Sequence, residues 1–335
     1  MVASSLKGMR ADVIGLNLVG DDAASDERHY AALAAQAASI DLQTRRFELA
    51  RIDVRSSGAA HMPYPVHRCF TQAQDAIAAE MAAEWGADRV IDGGGGDNVF
   101  FASRTVAILA DCLATRGPNR SFWDAARVLG DLGQAGIWTL AWRAAHRAWF
   151  RSPAPRQAPA IDFLSDAARA IVRDTPAHSW FLPPPGILPG RAAHVALLVP
   201  AQNLVEAVNA LAPQHAVSPL VSQPVVEACL RIPSWHWLAP GRDRAVARRA
   251  FEPDLPAAIV SRRSKGTPTG FVATIFDRHR PVIRDMLLGG RLAALGLIDT
   301  GKLAEALSLP GPVRGLRFVR MMELVDAEAW AAAQG

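Results

Sequence analysis

The sequence is poor in cysteine, free of long apolar runs and free of any recognisable nucleic-acid module, and each lack removes a class of protein. Its three cysteines, Cys69, Cys112 and Cys229, lie far apart and form no C-x-x-C pair of the kind that binds zinc or cycles a disulfide. They are expected to be buried free thiols. Residues Met1 to Arg10 contain no apolar stretch of signal-peptide length, and further on Pro, Asn, Gln and His interrupt the uncharged segments before they reach the ~20 apolar residues of a membrane span. This reads as a soluble, cytoplasmic protein with no membrane partner. A net charge of +4 and a pI of about 9.3 would suit nucleic acid, but no basic tract is interleaved with aromatics, so no nucleic-acid partner is expected. No internal repeat is visible.

What is present is a chain of 335 residues, 50% hydrophobic and 20% charged, enough for a substantial core in one large domain or two ordinary ones. The basic excess is local: Arg242, Arg244, Arg248, Arg249, Arg262, Arg263 and Lys265 gather in the C-terminal part. They either meet a phosphate or form solvated helix faces.

The first hundred residues alternate strand and helix. Asp12 to Val19 is a short apolar run closed by Gly20 and Asp21, which suits a strand buried on both faces. Ser25-Asp26-Glu27 then offers a helix start for Tyr30 to Ala38. Arg46 to Val54 reads as a second strand, Thr71 to Trp85 as a helix with Glu80 and Glu84 outward, and Arg89 to Ile91 as a third strand. The alternation predicts a parallel sheet with right-handed crossovers. After Phe101 the segments Leu109 to Leu113, Phe122 to Leu132 and Ile137 to Phe150 look helical. Trp138, Trp142 and Trp149 share one face of the last of these and are expected to pack in the core, the alternative being a groove for a large substrate. Pro153 to Pro159 reads as an exposed connection, and Phe181 to Pro189 as an irregular loop of the kind that often serves function. From Val195 onward helices broken by prolines are expected.

Asp92 to Asn98, DGGGGDN, follows the third strand directly. Glycines let backbone N–H groups approach a ligand, and the carboxyl end of a parallel strand is where α/β folds bind one. Taken alone the run is also compatible with a flexible turn. Downstream come Ser218 to Pro233, SPLVSQPVVEACLRIP, then Gly241-Arg242-Asp243-Arg244, then Ser261-Arg262-Arg263-Ser264-Lys265-Gly266.

In this order the segments resemble the synthetase domain of asparagine synthetases, in which an S-G-x-G-x-D-E strand end, a P-F-L-D-type segment and a basic R-x-K-G segment follow one another. The strand end Leu16 to Gly20 and the helix start Asp26-Glu27 to Tyr30-Ala31 resemble that family too, so the likeness spans almost the whole chain. It implies an α/β fold of the PP-loop ATP-pyrophosphatase type over residues 1–101, with a mostly helical part over 102–335 carrying the Lys265 segment and no glutaminase domain. The implied reaction activates a carboxylate with ATP as an acyl-adenylate, releases pyrophosphate and lets an amine form an amide. The resemblance assigns Asp97 to Mg2+, Val19, Asp92, Gly93 and Gly95 to the nucleotide, and Lys265 to the charge developing near the α-phosphate. Asp75, Glu80 and Glu227 are all conceivable as a base, and no spacing singles one out.

Two departures qualify the likeness. The family carries an acid at the positions of Gly94 and Asn98, and both are absent here, which removes a proton acceptor for ammonia. The GGGGDN form, with Ser222-Gln223-Pro224 in place of F-L-D, is more similar to the lasso-peptide macrolactam synthetases, the cyclase branch of the family. That likeness implies a precursor peptide and a leader-processing protease as partners; an asparagine synthetase-like ligase and a non-catalytic relative remain the alternatives. The second departure is that the family's S-G-G-x-D-S loop, which grips phosphates, occurs nowhere in the sequence. Met1 is therefore expected to be an internal methionine of a longer enzyme, and a chain starting there to turn over little ATP.

Overall fold

The computed structural model describes residues 1–6, 12–20, 26–133, 135–155, 160–206, 215–262, 269–309 and 317–335. A short helix, α1 (Val2–Leu6), precedes β1 (Ile14–Val19), α2 (Arg28–Ala38) and β2 (Asp41–Arg46). β1 and β2 pair in parallel, Ile14 opposite Asp41 through Val19 opposite Arg46, with α2 as the crossover. The second strand thus lies ahead of the Arg46 to Val54 segment that composition favours. Those apolar residues leave the sheet: Leu49–Arg51 make a 3-10 turn, and Ile52 and Val54 are buried in a helical core.

α3 (Gln72–Glu84) turns Glu80 and Glu84 outward, as its pattern predicts, and leads to β3 (Arg89–Ile91) and α4 (Gly96–Val99). The helical part follows: α5 (Ala107–Arg116), α6 (Arg120–Gly133), α7 (Ile137–Trp149), α8 (Asp166–Asp174) and α9 (Pro189–Glu206). The chain then returns to the sheet as β4 (His215–Val217), parallel to β3 with Arg89 opposite His215. Among the described residues the parallel strands form two separate pairs instead of one continuous sheet. α10 (Gln223–Arg231), α11 (Ala245–Ala250) and α12 (Ala257–Val260) precede α13 (Thr269–Gly289), α14 (Arg291–Ala294), α15 (Thr300–Ser308) and α16 (Arg317–Ala333). The fold is α/β and mostly helical.

Prolines do not end all of these helices. Pro200 lies inside α9 and Pro281 inside α13. Pro189, by contrast, closes the irregular segment after Phe181 and opens α9, where a missing N–H is harmless. The next two N–H groups, of Gly190 and Arg191, donate to the buried Asp111 carboxylate at 2.6 and 3.0 Å. Ser234 Oγ donates to the same carboxylate at 2.7 Å.

Two apolar cores result. One gathers α5, α6, α7 and α9 around Phe101, Ile108, Phe122 and Trp237, and the other gathers α13, α15 and α16 around Ile52, Phe276, Leu303 and Phe318. All three cysteines are free and buried. The tryptophans of α7 are the clear reversal. Leu140 and Ala144 face the core, whereas Trp138, Trp142 and Trp149 are 75%, 67% and 60% exposed. Small residues let α7 lie close on α5, and the aromatic face is left outside. Behind α7, Arg147 donates to the carbonyls of Ser152, Pro153 and Ala154, fixing the start of the proline-rich connection. Residues 156–159 of that connection lie outside the described residues.

His194 of α9 is buried, stacks on Phe101 at 4.5 Å and donates from Nε2 to the Val99 carbonyl at 2.9 Å. Burial pushes its pKa down to about 4, so the ring is neutral at pH 7. A histidine with a depressed folded pKa loses stability as pH falls from the unfolded value, near 6.5, toward about 4. The expected loss over that window is roughly 3 kcal/mol. Asp111 and Asp326, whose pKa values burial raises, act in the opposite sense, so the comparison must be with His194→Gln. Urea titrations at pH 7 and pH 4.5 should show a smaller acid loss in that variant than in the wild type.

Candidate functional site

β3 ends at Ile91, and the Asp92 N–H carries the ladder one step further by donating to the Val217 carbonyl at 3.0 Å. Asp92 Oδ1 then accepts from the Gly94 N–H at 2.8 Å and from Ser218 Oγ at 2.6 Å. This bends the glycine segment back over the end of the strand pair. A Cβ on Gly94 would lie 2.9 Å from Asp92 Oδ1 and 3.2 Å from Ser218 Oγ. Gly95 has φ +71° and faces Val221, so this position favours glycine. Gly93 has no atom within 4 Å of where a Cβ would stand, which leaves its backbone open.

The turn forms one wall of a cavity of about 530 Å³. Gly93 to Asn98 face Arg244 and Arg248 across it, Glu27 and Arg262 stand at its side, and Phe100, Leu255, Ile259 and Val260 supply an apolar wall. Arg244 holds a left-handed backbone, φ 51°, at the start of α11, and its Nη1 reaches Asp97 Oδ1 at 2.5 Å. Arg248 is spent on structure: it donates to the Asp243 side chain at 3.0 Å, the Asp243 carbonyl at 2.9 Å and the Val260 carbonyl at 2.8 Å. Arg262 pairs with Glu27 at 2.7 Å and lies 4.0 Å over the Tyr30 ring, with its Nε buried and unpartnered. Arg242 and Arg249 line a separate cavity of about 720 Å³ with Ile232, His236 and Leu238. The basic cluster is therefore divided: Arg244, Arg248 and Arg262 are partly buried at the first cavity, Arg249 is exposed on α11, and Arg263 lies outside the described residues.

Asn98 has a different task. Its Nδ2 donates to the Leu197 carbonyl at 2.7 Å, one position after the Ala196 carbonyl that Pro200 leaves without its helical donor. An ionised acid at position 98 has no proton to give there. Each position thus has another use here: a Cβ at 94 would press on the Asp92 and Ser218 side chains that close the turn, and the amide at 98 donates across to α9.

Of the residues singled out by sequence, Asp92, Gly93, Gly95 and Asp97 come together on this turn, and Gly93, Gly95 and Asp97 line the cavity. Val19 sits at the end of β1 with its side chain buried and its carbonyl accepting the Phe47 N–H at 3.0 Å; it does not line the cavity. Lys265 lies outside the described residues, three positions beyond Arg262. Sequence reasoning did not single out Glu27 and Tyr30 as site residues. The signal was present, because positions i and i+3 at a helix start share a face.

For a divalent cation the fit is poor. Among the described residues no three His, Cys, Asp or Glu side chains converge, and Asp97 is engaged by Arg244. The two carboxylates that line the cavity, Asp97 and Glu27, are each paired with an arginine, and no step is drawn through the ion.

A glycine turn leaving a parallel strand and facing arginines across a half-apolar cavity is the site of a ligand-binding α/β protein. A family model described as asparagine synthase matches residues 1–332, and this chain belongs to that family of ATP-dependent carbon–nitrogen ligases. No curated protein matches the chain. Among the described residues no helix is long and apolar enough to cross a membrane.

Proposed function

We propose that this cavity is the site of an ATP-dependent amide ligase that closes a peptide macrolactam, as the lasso-peptide cyclases do. The observation that carries the reading is the Asp92–Asn98 turn standing open at Gly93 opposite Arg244. ATP supplies the adenylyl group that makes a carboxylate reactive, and leaves as AMP and pyrophosphate. The open Gly93 backbone admits phosphate oxygens, and Arg244 offers them a fixed positive charge. Leu255, Ile259 and Val260 form the dry wall that keeps water from an activated acyl group. Lys265 is proposed as a further phosphate-side group, and Asp97 as the carboxylate that holds Arg244 against the turn.

The choice of amine rests on positions 94 and 98. Neither position carries a carboxylate, and the two acids of the turn are engaged, Asp92 by Gly94 and Ser218 and Asp97 by Arg244, whereas a peptide α-amine, with a pKa of about 7.7–8.0, is partly neutral without a dedicated acceptor. A precursor peptide and a leader-processing protease are the corresponding proposed partners.

The test is ATP–pyrophosphate exchange by the protein purified from its own cells, with its intact mass read first. Exchange stimulated by a precursor peptide is the expected result. Exchange stimulated by free aspartate and ammonia alone would replace this reading with an asparagine synthetase-like one, and no exchange with either would point to a binding protein.

A further inference from the structure

The outer face of α7 has no role in the cavity. Trp138 and Trp142 lie one turn apart, Trp149 two turns on, and Phe150, 76% exposed, follows. The rings meet in two groups along this face. Trp123 of α6 meets Trp138 edge-on at 5.6 Å, Trp142 stacks on His146 at 5.4 Å, and His146 meets Phe150 at 5.8 Å. Neither cavity described above includes any of these residues. An exposed apolar strip of this size marks a surface built for contact.

Charge identifies the partner. From Leu132 to Ile161 the chain has no Asp or Glu, and it has four arginines, Arg143, Arg147, Arg151 and Arg156. Arg143 and Arg151 are exposed beside the strip, whereas Arg147 is turned back onto backbone carbonyls. On the neighbouring α6, Asp124 is bridged to Arg120 and Arg127, which leaves Asp131 as the acid nearest in sequence. A second copy would bring arginines against arginines. Indole rings flanked by arginines and free of acids suit the boundary between headgroups and acyl chains of an anionic bilayer. At 13 residues, with Leu140 and Ala144 fixed to the core, α7 is too short to span a bilayer and is placed to lie in its surface.

We infer that the aromatic face of α7 docks this protein on an anionic lipid surface. Insertion of the rings supplies apolar transfer, and Arg143 and Arg151 supply a salt-sensitive attraction.

The experiment is co-sedimentation of the full chain with vesicles of pure phosphatidylcholine and with vesicles of phosphatidylcholine and phosphatidylglycerol in equal parts, alongside tryptophan emission. The protein is expected to bind the anionic vesicles, with a blue shift, and to leave them as salt rises. Trp138→Ala with Trp142→Ala should weaken binding about tenfold or more while the thermal melt stays in place. Arg143→Glu should weaken it several-fold, and Trp142→Gln serves as a second, single variant should the double one melt early. Failure of the wild type to sediment with anionic vesicles would overturn the inference, as would equal binding to neutral vesicles or undiminished binding by the tryptophan variants. A wild-type dimer that the tryptophan variants dissolve, without vesicle binding, would reassign the face to self-association.

Discussion

Arg244→Ala is expected to lower ATP–pyrophosphate exchange about a hundredfold, the usual loss when a preorganised charge is removed from a site where negative charge develops. Arg244 is the cavity arginine whose guanidinium meets the glycine turn, through Asp97, and its backbone is held in a conformation that side chains avoid. That conformation gives a second readout. Arg244→Gly relieves the positive φ and should be more stable than Arg244→Ala by about 1 kcal/mol, although both lose the same exchange activity. Arg244→Lys keeps the charge without the planar fork and should fall between wild type and alanine. Exchange that survives in Arg244→Ala would remove the residue from the site, and equal stability of the glycine and alanine variants would remove the argument from strain.

Asp111→Ala should destabilise the fold by about 3 kcal/mol, because three donors lose their acceptor in a buried place. Two are the N–H groups that open α9, and the third is Ser234 Oγ at the 3-10 turn Ser234–Trp237. The same carboxylate thus fixes the start of the helix that carries Leu197 and His194 and the turn that carries Trp237. Asp111→Asn should recover part of the loss, since one oxygen still accepts, while the amide meets donors it cannot satisfy. Denaturant unfolding checks both, and an Asp111→Ala variant as stable as the wild type would show that water replaces the carboxylate without cost.

Much of the site was legible from sequence and some of the fold was not, for identifiable reasons. The strand–glycine–aspartate order around Asp92 is local, so the turn and its place after β3 are legible in the sequence, whereas the facing wall of the cavity comes from distant segments. β2 escapes a reading by hydrophobicity because its residues, DLQTRR, are polar and partly exposed, whereas the apolar segment after it belongs to the second core. The periodicity of α7 correctly puts its three tryptophans on one face. It did not say which face turned inward, and bulk was the wrong guide. Asn98 reaches Leu197 across 99 positions of sequence, and no local pattern announces a contact of that kind.

The pairing of Arg262 with Glu27 joins positions 235 apart in the chain. Closing so long a loop costs little more entropy than closing one half as long, but it cannot happen before both ends exist. During synthesis the strand β1 and the helix α2 emerge early, while this side of the cavity waits until Arg262 has left the ribosome. A ligand that needs both residues can therefore stabilise only a chain already made past Arg262, and the α/β segment that supplies Glu27 waits for it.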